Sequence, residues 1–220
     1  AIERFPTQGL RTTIGGTVDF LFDGPFTAPQ LSEKLAMLAA EEAVGQSGIG
    51  QPGDFPGELF MAVPPVEMEW PQKQELAASL EGEVDYRGLL SAAASQRFRA
   101  MHEMFLFGTV ADHVADAFGT KGSPISLSTA CSSGATAIQM GVEAIRRGET
   151  KAALCIGTDG SIHAEALIRF SLLSALSTNN EDPTKAARPF GKGRDGFVMA
   201  EGAGALVLEE AEAARARGAT

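Results

Sequence analysis

The chain of 220 residues is predicted to fold as an α/β domain with a mainly parallel mixed sheet between helices. Two observations carry that expectation. Short apolar runs bounded by glycine and proline recur between stretches whose apolar residues fall at helical spacing, the pattern of alternating strands and helices. The run Ile125-Ser126-Leu127-Ser128-Thr129-Ala130 alternates apolar and hydroxyl side chains and feeds directly into a helical stretch. Alternation of this kind builds parallel sheets, because a parallel pair needs a crossover long enough to hold a helix.

The first 30 residues carry Pro6, Gly9, Gly15, Gly16, Gly24, Pro25 and Pro29, so they read as loop plus one edge strand over 17–22. Leu31 to Val44 holds good helix formers throughout, with Leu31, Leu35, Leu38 and Glu42 at helical intervals, and Gly45 and Gly48 are expected to end that helix. Glu58 to Val63 is a short apolar run consistent with a buried strand, stopped by Pro64-Pro65. Residues 67–86 are mixed and acidic and predict a solvated, irregular excursion with a short helix near Gln72–Leu80. Ser95 to Phe118 reads as one largely helical stretch, with Phe98, Met101, Met104, Phe105, Phe107, Val110, Val114 and Phe118 on a broad apolar face and Gly119 as its cap.

The strand at 125–130 then meets Cys131-Ser132-Ser133-Gly134, which turns the chain into a helix carrying Ile138, Val142 and Ile145 on one face. Arg146-Arg147-Gly148 supply the cations and the glycine that a helix C-terminus favours. A strand at Ala152–Thr158, a helix at His163–Leu176, a polar loop from Ser177 to Pro183, a glycine-rich stretch to Gly204, a strand at Ala205–Leu208 and a helix at Glu209–Arg217 complete the order. Gly202-Ala203-Gly204 is expected to allow a close backbone approach or to form a tight hairpin or bulge.

Composition narrows the classes of function. Hydrophobic residues at 44% and charged residues at 21% are ordinary for a globular protein. The formal charge of −10, from 18 basic and 28 acidic residues, argues against a nucleic-acid surface. Two cysteines, Cys131 and Cys155, make neither a disulfide framework nor a zinc cluster, so no metal or cofactor is expected and a reducing, cytoplasmic setting is. No apolar run approaches the roughly 20 residues that span a bilayer, so no membrane partner is expected. The chain begins with alanine rather than methionine, and residues are expected to be missing at its start.

Cys131 is the residue with the clearest chemistry. It falls where a strand stops and a helix starts, so unpaired amide N–H groups and the positive dipole end face its sulfur, a setting that favours thiolate. Its bland alternative is a small buried apolar residue at a packed turn. The small neighbours Ser132, Ser133 and Gly134 leave room for a substrate. Cys155, within the apolar run Ala153-Leu154-Cys155-Ile156, is expected to be shielded.

Thr129-Ala130-Cys131-Ser132-Ser133-Gly134 resembles the nucleophile signature of the β-ketoacyl-acyl-carrier-protein synthases, thiolase-fold condensing enzymes of fatty-acid and polyketide synthesis. Ala187 to Glu209, with its Arg194-Asp195-Gly196-Phe197 and Glu201-Gly202-Ala203-Gly204 runs, is similar to the family's ARPFDxxRDGFVxGEGAGxLVLE segment. Ala152 to Asp159 is similar to the strand after the nucleophile helix, and Phe170 to Ser177 resembles GFxxxxALS. The resemblance runs from Leu106 to Ala219, roughly half the chain, and three ordered motifs at family spacing are far more specific than one.

The resemblance implies the N-terminal half of a thiolase-like ketosynthase domain over residues 1–220, lacking the family's first strand and its C-terminal half. It implies a type II, elongating enzyme that condenses an acyl group held on Cys131 with malonyl-acyl carrier protein. Cys131 is then the nucleophile, with its own backbone N–H in the oxyanion hole. Phe170 aligns with the phenylalanine that gates acyl access, against a plain reading as a core aromatic, and Val66 with a pocket-floor position. The family's two catalytic histidines and lysine have no counterpart: His102 and His113 read as structural or surface residues, and His163 precedes the acyl-pocket helix without an evident partner. The chain alone is therefore expected to be inactive in condensation. Gly191 and Gly193 in place of an acidic-basic pattern, Ser174 in place of a common arginine and Asp159 in place of a glutamate put carrier-protein preference in doubt.

The implied partners are acyl carrier protein bearing acyl and malonyl groups and a second copy of the chain, joined through the strand Ala152–Thr158. A thiolase-type acyltransferase is the nearest enzymatic alternative. A catalytically silent partner subunit of the chain-length-factor kind is the other, opposed by the presence of Cys131.

Overall fold

A computed structural model describes residues 1–21, 24–80 and 85–219. In chain order the elements are α1 (Ala28–Ser47), β1 (Glu58–Ala62), α2 (Trp70–Ala78), α3 (Tyr86–Ala94), α4 (Arg99–Met104), α5 (Thr109–Phe118), β2 (Ile125–Leu127), α6 (Ser133–Arg146), β3 (Ala152–Asp159), α7 (Ala164–Leu172), a 3-10 turn (Pro183–Lys185), β4 (Gly202–Glu209) and α8 (Ala211–Ala216). They belong to two compact units. One comprises Ala28–Val66, Leu106–Gly160 and Gly202–Thr220, the other Ala1–Thr27, Glu67–Phe105 and Ser161–Glu201.

The first unit contains a four-stranded sheet in the order β2-β1-β3-β4. β1 runs parallel to both β2 and β3, and β4 is antiparallel to β3, which is the mainly parallel mixed sheet that the strand–helix alternation predicts. Side chains leave alternate faces of a strand, and the core divides accordingly. Leu59, Met61, Leu154 and Ile156 pack with Ala36, Ala40 and Val44 of α1 and Val110, Val114 and Phe118 of α5. Phe60, Ala62, Ala153 and Cys155 pack on the other face with Ala137 and Ala144 of α6. Fully burying a large aliphatic or aromatic side chain stabilises by roughly 1.5–3 kcal/mol, so the central strands β1 and β3 are the most strongly held.

β3 is bonded on both sides, to β1 and to β4. The expectation that it pairs with a second copy is therefore overturned: its apolar character reflects burial within one chain, and its backbone groups have no capacity left for another strand. Gly202-Ala203-Gly204 is neither hairpin nor bulge but regular strand opposite Gly157-Thr158-Asp159, and nothing lies within 4 Å of where a Cβ on Gly202 or Gly204 would stand.

Other boundaries shift for local reasons. α1 begins at Ala28 and passes through Gly45 to Ser47, and the left-handed Gly48 (φ +63°) ends it. Its buried face is Leu31, Leu35, Ala36, Ala40 and Val44, while Leu38 is exposed. The single helix expected over 95–118 is broken between Met104 and Thr109, where the chain passes from one unit to the other, so Val110, Val114 and Phe118 are buried whereas no residue of α4 is. α3 was not foreseen, and the short helix of the acidic excursion is α2. The sheet-facing stripe of α6 is Ala137, Gly141 and Ala144 rather than Ile138, Val142 and Ile145; Ile138 and Ile145 flank it, partly buried.

In the second unit, Ile2, Ile162, Ala166, Leu167, Leu176 and Met199 form the core. Among the described residues of the expected edge strand at 17–22, no strand forms. Instead Gly16 makes an isolated bridge with Ala200, and the Val18 amide donates to Glu201 Oε2 at 2.8 Å; Phe22 lies outside the described residues. Asp195 ties this unit together. Its carboxylate accepts from the Ser177 hydroxyl (2.9 Å to each oxygen), the Thr178 amide (3.1 Å) and Arg188 (3.2 Å).

Two tests follow from this packing. A Cβ on Gly141 would stand 2.6 Å from Cys155 Sγ, so Gly141→Ala should lose roughly 1–3 kcal/mol to overpacking against about 1 kcal/mol gained in helix propensity. We expect a net loss of about 1 kcal/mol in urea unfolding, recovered in large part by adding Cys155→Ala. The hydrogen bonds from Ser177, then Thr178 and Arg188, outweigh partial burial and hold the Asp195 carboxyl below its ordinary range. A depressed carboxyl contributes stability above its unfolded pKa and loses it as pH falls through the folded value. Asp195→Asn should therefore lower stability at neutral pH and flatten the acid limb of the stability–pH curve, and an unchanged acid limb would contradict this account.

Candidate active site at the turn between β2 and α6

β2 stops at Leu127, earlier than the alternation to Ala130 predicts, because the next residues are committed to a hydroxyl-bonded turn. The Thr129 amide donates to Ser133 Oγ (2.8 Å), and the Ser133 hydroxyl donates to the Ala130 carbonyl (2.6 Å). Ser132 Oγ donates to the Thr129 carbonyl (2.8 Å), and the hydroxyls of Thr129 and Thr136 are 2.8 Å apart. Serine and threonine hydroxyls compete with ladder bonding in this way and favour turns and helix starts. Ala130, with φ of 52°, takes the left-handed conformation that non-glycine residues rarely adopt, and Thr129 and Cys131 bridge across it.

Cys131 follows this reversal and is exposed, two residues before α6 begins. The plain reading of a packed, buried cysteine thus fails for Cys131 and holds for Cys155. Cys155 is buried in β3 against Gly141, and burial pushes its thiol up to about 12, opposed by a hydrogen bond at Gly141. Both cysteines are free.

Val66 is half-buried, beyond Val63, whose amide donates to the Leu127 carbonyl at 3.2 Å. Val66 and Cys131 belong to the sheet-containing unit and Phe170 to the other. Phe170 is half-buried on α7, meets the Phe197 ring edge-on with centroids 5.4 Å apart, and packs on that unit's core. His102 is exposed on α4, and His113 is a surface residue on α5 with Nδ1 2.8 Å from Glu33 Oε2. His163 differs from the expectation of no partner: it is buried at the start of α7 beside Glu165 and Glu67. Glu165 is only two residues away in sequence, but Glu67 is far from residue 163, so only the tertiary structure could supply that second contact. Among the described residues, no group of three or more histidine, cysteine, aspartate or glutamate side chains is arranged to hold a metal, and no helix is long and apolar enough to cross a membrane.

A mixed sheet flanked by helices, with an exposed cysteine at a strand–turn–helix junction, is an arrangement suited to acyl transfer through a thioester. Residues 23–214 match the family described as the N-terminal domain of beta-ketoacyl synthase, and the chain belongs to that family. It is 32% identical over 99% of its length to the tetracenomycin polyketide synthase ketoacyl synthase alpha subunit of Streptomyces glaucescens, covering 52% of that protein. Over 60% of its length it is 40% identical to 3-oxoacyl-[acyl-carrier-protein] synthase 2 of Synechocystis, covering 32% of it.

Two solved structures share the fold. A beta-ketoacyl synthase from Burkholderia phymatum STM815 matches 97% of the chain and 52% of its own, with TM-score 0.73 and 28% identity. A complex of a type II polyketide synthase acyl-carrier protein with its ketosynthase, bound to the hexaketide, matches 96% of the chain and 50% of its own, with TM-score 0.75 and 26% identity. The chain thus spans about half the length of the full-length relatives it matches.

The contrast between the two thiols is directly testable. Brief iodoacetamide treatment at pH 8 followed by peptide mapping should label Cys131 and leave Cys155 unmodified, because the thiolate is the reacting form. Equal labelling of the two would contradict the burial argument.

Proposed function

We propose that this chain is the nucleophile-bearing half of a type II, elongating ketosynthase, with Cys131 as the acyl acceptor. The single observation that carries the reading is an exposed cysteine at the start of α6 in a chain of the β-ketoacyl synthase family. In the first step Cys131 Sγ attacks the carbonyl of an acyl thioester on acyl carrier protein. The new S–C bond forms as the carrier's C–S bond breaks, and the carrier thiol leaves with the proton. The Cys131 backbone N–H is a donor for the tetrahedral oxyanion. In the second step malonyl-acyl carrier protein loses carbon dioxide, its carbanion attacks the acyl carbonyl, and the Cys131 S–C bond breaks to release β-ketoacyl-acyl carrier protein.

Phe170 and Val66 are proposed to contact the acyl chain. The second step needs groups that stabilise the developing enolate, and His102, His113 and His163 do not provide them: the first two are at the surface and the third is engaged by carboxylates. Relatives carry both polyketide and 3-oxoacyl-carrier-protein names, and either pathway suits the reading. A cytoplasmic homodimer also belongs to it, with the contact elsewhere than at β3. The runs Arg194–Phe197 and Glu201–Gly204 favour a synthase over a thiolase, and Cys131 favours an active subunit over a silent one.

The test is intact-mass and peptide analysis after incubation with an acyl thioester. An acyl adduct should map to Cys131 and vanish in Cys131→Ala, and adding malonyl thioester to the 220-residue chain alone should yield no β-ketoacyl product. An adduct on Cys155, or product formed by Cys131→Ala, would overturn the assignment.

A further inference from the structure

We propose that His163 is a proton-operated clasp between the segment Glu67–Ala78 and the first turn of α7. The imidazole is buried, 8% exposed, and its Nδ1 has two partners that ask for opposite protonation states. The Ala166 amide, one of the first-turn N–H groups that lack an acceptor within the helix, donates to Nδ1 at 3.4 Å, which requires the lone pair. Glu165 Oε2 lies 3.2 Å from the same nitrogen, which requires an N–H there. Nε2 faces Glu67 Oε1 at 3.9 Å. The neutral tautomer that carries its proton on Nε2 caps α7 through Nδ1. The protonated ring gives up the cap and stands as a cation between Glu165 on α7 and Glu67 on the neighbouring segment.

Both carboxylates already link the same two elements. Lys73 of α2 donates to Glu165 at 3.3 Å, and Arg169 of α7 pairs with Glu67. Of these four charged groups, Glu165 and Glu67 face the imidazole, and Lys73 and Arg169 pair with those two carboxylates. What makes a clasp consequential is how little else holds α2: none of its residues is fully buried, and Trp70 is 60% exposed. Its attachment is polar, so it responds to a charge added at its base. The next residue after Arg169 is Phe170, so the clasp fastens onto the helix that carries the candidate acyl contact, although the inference itself stands apart from the proposed function.

Protonation should tighten the clasp and loosen the cap, moving two sites in opposite directions. Hydrogen exchange of the 220-residue chain, corrected for intrinsic rates, measures both between pH 8 and pH 5.5, with exchange at Glu165–Leu167 followed separately from that at 70–79. On acidification the amides of 70–79 should gain protection by about threefold, the size of one partly exposed ion pair, while Ala166 loses it. His163→Gln should make both responses flat. Glu165→Gln replaces the carboxylate that faces a protonated Nδ1 with a neutral amide and should blunt the gain at 70–79 while leaving the neutral cap intact at pH 8, which keeps the proposal open to test should His163→Gln fold poorly. Parallel movement of both sites, or an undiminished pH response in either variant, would overturn the clasp.

Discussion

The contact between α6 and β3 governs where the candidate nucleophile sits. Alternation along β3 sends Leu154 and Ile156 to one face of the sheet and Ala153 and Cys155 to the other. On the second face β3 presents the small side chains Ala153 and Cys155, and α6 meets them with Ala137, Gly141 and Ala144. A helix can approach a sheet this closely only where neither partner projects bulk. At Gly141 the space that a methyl group would need is taken up by Cys155 Sγ. With its middle turns seated so tightly, α6 has its first turn held close to β3, Gly134 Cα lying 3.5 Å from where a Cβ on Gly157 would stand, and Cys131 comes two residues before that helix.

The two cysteines illustrate how one residue type is sorted by its surroundings. Cys155 serves as a small apolar filler between a strand and a helix, and desolvation keeps it a thiol. Cys131 lies beyond the last ladder bond of β2, where the chain reverses through a left-handed alanine held by serine and threonine hydroxyls. Those hydroxyls satisfy backbone groups that neither the strand nor the helix can reach, so the reversal leaves few of its polar groups unmet.

The second unit relies less on apolar burial and more on polar staples. Asp195 collects a serine hydroxyl, a backbone amide and a guanidinium, and Glu201 holds Arg4 and the Val18 amide. Two carboxylates thus join residues separated by up to 197 positions in sequence. The helices α2, α3 and α4 have no fully buried residue, which is why charges such as those around His163 carry weight there that they would lack in the sheet.

Local and periodic information was legible in the residues themselves. The strand–helix alternation, the position of Cys131 at a helix start and the shielding of Cys155 all depend on short-range pattern and on the preference of serine, threonine and glycine for turns. The family resemblance extended that reading to a fold and a chemistry. What the sequence could not determine was set by pairing over long separations. Period-two apolarity in Ala152–Thr158 is the same for an inner strand and an edge strand, so only β1 on one side and β4 on the other decided that β3 is enclosed. Likewise the apolar residues between 95 and 118 fit one helix by spacing, yet the chain changes units between Phe105 and Leu106, and burial in one unit says nothing about burial in the other. Glu165 stands two residues from His163 in sequence, but Glu67 reaches the ring only in the folded chain, because an ion pair is a property of distance in space, which one-dimensional order does not contain.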